Sequence, residues 1–334
     1  MRRLAAALAG TALLVSGIAL LLVSRQKKET VPEVVLTYAE NQTQDYPTTE
    51  GAYYFADLVK ERTDGRVEVL VYPNAQLGDE ISTVQQLSWD GIDMVRCSLY
   101  TLEDYNPETI VLMLPYLYES SESMWKVLDG EMGKEIMDSF SGTGMVALSW
   151  YDAGVRSFYF REPVSGMEDL AGKLIRVQQS GIMEDMVRAL GATPVPMNYE
   201  DVYAGLQQGS VDGAENNWNS YAAMEHYQVA PYFWEDEHIR IPELQMISET
   251  ALSELSEKDQ ETLRACAAES AQYERKRWQV QEQQAKQQAA DGGCKVLPVS
   301  DEDRQKMKEA MAPLYETYGS EYQDLIRRIQ AAQE

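Results

Sequence analysis

The longest uninterrupted pattern in the chain is SEKDQETLRACAAESAQYERKRWQVQEQQAKQQAA, which opens at Ser256 and is stopped by Gly292 and Gly293. It contains neither glycine nor proline and reads as one helix of about 35 residues, about 50 Å at about 1.5 Å per residue. No sustained a/d heptad runs through it, which argues against a coiled coil. A rod of that length is long enough to cross two lobes. The 334 residues of the chain are enough for two domains with real cores.

From residue 34 the chain follows a β-α-β-α-β rhythm. VVLTYA reads as a strand that ends in Glu40, Asn41 and Gln42, and residues 48–62 as a helix with Gly65 as its break. RVEVLVY alternates as a second strand, residues 79–89 read as a helix, and GIDMVRCS as a third strand. The rhythm implies parallel strands with helical crossovers. Ligands of such sheets sit beyond the carboxyl ends of the strands, which brings Glu40, Asn41, Gln42, Arg96 and Ser98 towards a cleft. An internal ion pair between Glu40 and Arg96 is the competing reading. Residues 121–140 read as a helix and MVALSWY as a strand, and Gly154 marks a crossing into a second lobe. There GVRSFYF carries Arg156 among small and aromatic residues.

In the second lobe, Leu174, Ile175 and Val177 form a short apolar strand interrupted by one charge, Arg176. A charge in an apolar strand needs a partner. A ligand carboxylate suits it, because the planar fork of arginine makes two parallel charge-assisted hydrogen bonds. An internal carboxylate is the alternative. Ser180 is placed to cap a helix ending at Gly191, so a helix N-terminus beside Gln178 and Gln179 would favour an anion. Tyr199 follows a turn at Pro194 and Pro196, where its ring either lies along a ligand or packs internally. After the helix 200–208, VDGAENN delivers Asn216 and Asn217 at a strand end, as site or turn residues, and Trp218 follows as a stacking or packing aromatic. Beyond Ile241 the chain is expected to return to the first lobe. KVLPV is expected as a last strand, with Ser300 capping a final helical region.

The formal net charge is −25, and residues 1–28 hold five basic residues and no acid, so the remainder carries −30. That surface argues against nucleic-acid binding, which needs a basic footprint. Any anion site must be a local, enclosed positive cluster. Residues 4–23 are an uncharged apolar run behind MRR, read as an export signal that is either cleaved or retained as a membrane anchor. Cys97, Cys266 and Cys294 have no metal-ligand spacing. Cys97, in the apolar run IDMVRCSL, reads as a buried thiol, and a bond between Cys266 and Cys294 stays open. His226 and His238 do not form HExxH, and there is no GxSxG, P-loop or GxGxxG motif, so neither catalytic machinery nor a cofactor is indicated. A carboxylate-handling α/β enzyme is the remaining catalytic reading.

The motifs GKLIRV, GATPVPM, EDVYAGLQQG and VDGAEN, taken in this order, resemble the DctP-type extracytoplasmic solute-binding subunits of TRAP transporters. ERTDGRVEVLVYPNAQLGDE, GIDMVRCS and the long charged helix fit the same family, so the resemblance runs from about residue 33 to the end. It implies an α/β, two-lobe periplasmic-binding-protein-like fold with a hinge, a central ligand cleft and a long lobe-spanning helix. The expected division is 1–29 as signal or anchor, 30–152 with about 241–275 as one lobe, and 153–240 with about 276–334 as the other. It further implies an extracytoplasmic protein that hands a small organic acid anion to membrane permease subunits. The substrate carboxylate would be held by Arg176, with Asn216 and Arg156 in support and Gln179 and Tyr199 lining the cleft. DGAENNWNSY resembles members associated with uronic or other sugar acids; a C4-dicarboxylate or 2-hydroxy acid is the alternative.

Overall fold

The computed structural model describes residues 31–333, so the apolar N-terminal run and its reading as signal or anchor lie outside the described residues. Among the described residues no helix is long and apolar enough to cross a membrane. Two sheets organise the fold, one per lobe. The first is built from β1 (Val34–Ala39), β2 (Val67–Tyr72), β3 (Met94–Ser98) and β4 (Met145–Tyr151). The second contains β5 (Val155–Phe160), β6 (Leu174–Val177), β7 (Thr193–Pro196), β8 (Gly213–Asn216) and β9 (Tyr232–Arg240). The chain then returns to the first sheet as β10 (Glu243–Ser248), and β11 (Lys295–Leu297) closes the second. The strand orders are β2-β1-β3-β10-β4 and β11-β9-β5-β8-β6-β7.

The expected parallel rhythm holds for β1, β2 and β3. The returning β10 runs antiparallel between β3 and β4, with Glu243 opposite both Ser98 and Tyr151. This reversal puts the first residue of β10 at the same sheet edge as the carboxyl ends of β1 and β3. Several elements depart from the sequence reading. β9 was not anticipated because its interior reads WEDEHI, yet Asp236 and His238 are fully buried and bond one another. The expected turn at Pro194 and Pro196 is strand β7, which tolerates proline because it lies at the edge of the sheet. The expected helix 121–140 is two, Ser121–Leu128 and Glu131–Asp138, separated at Gly130, whose backbone is extended. The C-terminal helical region is likewise cut at Pro313. Its last helix, Gln323–Gln333, reaches back to the first lobe, where Gln333 bonds the backbone of Leu117 and Glu119.

The spine helix Glu257–Asp291 is capped by Ser256, whose side chain accepts from the Asp259 amide. It packs first on the helix Pro47–Arg62 and further along on the helix Trp218–Ala223, and so touches both lobes. Between β4 and β5 the crossing runs through Gly154, with φ of 64°, where a Cβ would lie 2.8 Å from Trp278 Nε1 of the spine. A left-handed backbone and a close indole both call for glycine there.

Beside that crossing the Glu274 carboxylate accepts from the Asp152 amide at 2.9 Å, and both acids are buried. Burial pushes Asp152 up to about 6 and, reinforced by Asp152, holds Glu274 well above the usual range. A raised carboxyl pKa means that the folded state binds more protons than the unfolded one. The stabilising contribution is then present at low pH and lost as pH rises from about 4 through about 6. Asp152→Asn should therefore raise the thermal midpoint at pH 8 by the equivalent of about 1–3 kcal/mol and bring much less at pH 4. An equal effect at both pH values would contradict this.

Candidate ligand-binding site

Between the sheets lies a cleft lined from both lobes, whose empty space of about 370 Å³ includes its opening to solvent. The first lobe contributes Asn41 and Gln42 after β1, Arg96 and Ser98 at the end of β3, and Glu243 at the start of β10. Tyr46, Tyr100 and Glu80 complete that wall. The second lobe contributes Arg156 from β5, Arg176 and Gln178 from β6 and just beyond, Asn216 and Asn217 from the end of β8, Tyr199 and Ser220. The lobes touch across the cleft, where the hydroxyls of Tyr46 and Ser220 lie 2.8 Å apart.

The three arginines differ in what already occupies them. Arg96 is saturated. Its Nε donates to both Glu40 oxygens, its Nη1 to Glu80 at 3.2 Å and Glu243 at 3.1 Å, and its Nη2 to Glu40 and Asn41. Arg156 forks onto Glu215, through Nε and through Nη2 at 2.8 Å to the carboxylate and 3.0 Å to the backbone carbonyl. Burial alone would push Glu215 up, but Arg156 and His238 pull it down to about 2. Burial likewise works against a charge on His238, yet Asp236 at 2.8 Å and Glu215 at 3.7 Å push it up to about 9. Arg156, Glu215, His238 and Asp236 thus form a buried chain of alternating charges.

Arg176 has no such partner. It is 2 % exposed, its Nε and Nη2 donate to one carbonyl, that of Met197, at 3.0 and 2.7 Å, and its Nη1 bonds nothing among the described residues. Among the described residues no carboxylate forms an ion pair with it. Burial lowers its pKa, opposed by the more distant Glu215. A desolvated guanidinium with a free N–H in a cavity wall is an anion receptor by construction.

Three of the residues expected at the site are elsewhere. Glu40 lies behind the wall as the partner of Arg96, as the ion-pair reading had it. Gln179 points outward and bonds Asn198, while Gln178 faces the cavity with Arg176 because alternate residues of an extended chain share a face. Trp218 stacks on Phe233 with centroids 3.7 Å apart and donates to Glu235, beneath the loop. Asn217 lines the cavity and also caps the helix Trp218–Ala223 through the Ser220 amide. Ser180 sits at the helix start without capping it; its hydroxyl faces Glu103. Glu80, Glu243, Tyr46, Tyr100 and Ser220 were missed. Glu80 opens a helix, where an acid is explained by the dipole alone, and Glu243 is placed only by the reversal of β10. All three cysteines are free, with Cys97 buried.

A sequence model of the bacterial extracellular solute-binding protein family 7 (DctP) matches residues 38–321. The chain is 34% identical over 292 residues to a solute-binding protein of Chromohalobacter salexigens, covering 86% of each. Among solved structures it is similar to a TRAP periplasmic solute-binding protein of Xanthobacter autotrophicus with bound β-D-galacturonate, at 35% identity and a TM-score of 0.86 over 89% of this chain and 99% of that one. It is also similar to one of Pseudomonas putida with bound D-glucuronate, at 30% identity and a TM-score of 0.87 over 90% and 98%. The chain belongs to the bacterial extracellular solute-binding protein family 7. It is a two-lobed solute-binding protein of TRAP transport, not an enzyme.

Proposed function

We propose that this protein captures a hexuronate outside the cytoplasm and delivers it to a TRAP membrane permease, and that its N-terminal run serves as export signal or anchor. The observation that carries the ligand class is Arg176, buried without a counter-ion and with a free Nη1 in the cavity wall. In this reading Arg176 holds the ligand carboxylate, with Arg156, whose Nη1 makes no hydrogen bond among the described residues, and Asn216 beside it. Asn41, Gln42, Ser98 and the carboxylates of Glu80 and Glu243 meet the hydroxyls from the other lobe. The galacturonate and glucuronate bound by the two similar structures support this choice. The lobes, 30–152 with about 241–275 and 153–240 with about 276–334, close as a hinged clamp. Only contacts to both lobes at once stabilise the closed form.

A thermal-shift screen of uronates, aldonates, C4-dicarboxylates, 2-hydroxy acids and sialic acid tests this. A uronate at 100 times its dissociation constant should add about 2.7 kcal/mol of stability. A stronger shift with a C4-dicarboxylate than with either uronate would contradict the proposed ligand class.

A further inference from the structure

Around Arg96 the carboxylates of Glu40, Glu80 and Glu243 share one guanidinium, so this group carries a formal excess of two negative charges. Glu80 and Glu243 reach the cavity. Each is held in place: Glu80 accepts from the Ser98 amide at 2.7 Å and the Tyr100 hydroxyl at 3.0 Å, and Glu243 from the Ser98 hydroxyl at 2.7 Å. A carboxylate has about four acceptor positions, so both retain room for a donor from the ligand. Among the described residues, the other cations in the lining are Arg156 and Arg176 on the opposite lobe, where the free Nη1 of Arg176 marks the anion end.

We infer that Glu243 and Glu80 act as a charge filter, admitting ligands with one carboxylate and a hydroxylated far end and rejecting those with a second carboxylate there. The inference rests on the reading of the cavity as a uronate site. A uronate oriented by Arg176 presents hydroxyls to this wall, and each finds an acceptor. The corresponding aldaric acid, an open chain with a second carboxylate in place of the anomeric centre, would place that charge against Glu80 and Glu243. Arg96 has no N–H left to receive it, since each of its three nitrogens is already committed. Burial pushes Glu243 up to about 7, with Arg96 opposing and Glu80 reinforcing, so near neutrality it exchanges a proton. In either form it meets a hydroxyl, as acceptor or as donor, but only the ionised form repels a carboxylate, so the titrations are run at pH 8.

The test is calorimetric titration of glucuronate and glucarate into the wild type, Glu243→Gln and Glu80→Gln. The wild type should prefer the uronate by about 100-fold or more, since like charges juxtaposed at an interface cost several kcal/mol. Glu243→Gln should narrow that ratio at least tenfold, mainly by tightening glucarate. Glu80→Gln should act in the same direction and serves as the second variant if the first does not fold. Equal wild-type affinity for the two acids, or an unchanged ratio in both variants, overturns the filter and leaves the uronate reading standing. A wild type that ignores uronates but binds another monocarboxylic acid and rejects its dicarboxylic counterpart supports the filter and overturns the uronate reading. A wild type that takes only dicarboxylates overturns both.

Discussion

Arg176→Ala is expected to abolish ligand binding while leaving the unliganded protein folded. Truncating one side of a buried, hydrogen-bonded charge pair costs about 2–5 kcal/mol or more, about 30- to 5,000-fold in affinity. Arg176 sits at the upper end because it has no internal carboxylate to fall back on. In the unliganded protein the same fact works the other way. The substitution breaks no ion pair and removes a buried charge that meets only the Met197 carbonyl. The melting temperature without ligand should therefore hold, and only the ligand-induced shift should disappear. Arg176→Lys should lose most of the affinity as well, because a single ammonium cannot reproduce the fork. Near-wild-type affinity in Arg176→Lys would count against bidentate capture.

Glu215→Ala is expected to cause the largest loss of stability at the site. Glu215 is fully buried between Arg156 and the protonated His238, so its removal leaves Arg156 without a carboxylate and facing a His238 that keeps only Asp236. Breaking a buried pair from one side costs about 3–5 kcal/mol, measurable as a drop in the urea midpoint. The sign of the pH dependence follows from the depressed pKa. The contribution of Glu215 is present above its unfolded value of about 4.3 and lost as pH falls towards about 2. Wild type and Glu215→Ala should therefore converge in stability under strong acid. A difference below about 1 kcal/mol at pH 7 would show that the charge chain contributes little.

Arg176 was legible in the sequence because one charge in an apolar tetrad has few explanations, and the structure leaves it without an acid. Arg156 and Arg96 gave the same signal and mean something different. Their partners Glu215 and Glu40 lie 59 and 56 residues away, a separation at which sequence does not distinguish an ion pair from a ligand contact. The exchange of Gln178 for Gln179 is a one-residue question of register, and one residue reverses the face. Trp218 was ambiguous between stacking and packing until Phe233 came to lie beneath it. The β-α-β rhythm conveyed the first three strands. It could not convey the reversal of β10 that sets Glu243 in the wall, because direction within a sheet is decided by tertiary pairing. Nor did hydropathy reveal β9, whose buried Asp236 and His238 neutralise each other only once folded.

Uronate capture by Arg176 is measured most directly by calorimetric titration with D-glucuronate and D-galacturonate, wild type beside Arg176→Ala. At least one of these acids should bind the wild type saturably and one-to-one, and the variant should give no detectable heat. Unimpaired uronate binding by Arg176→Ala, or wild-type silence towards both acids with saturation by a C4-dicarboxylate, would contradict it.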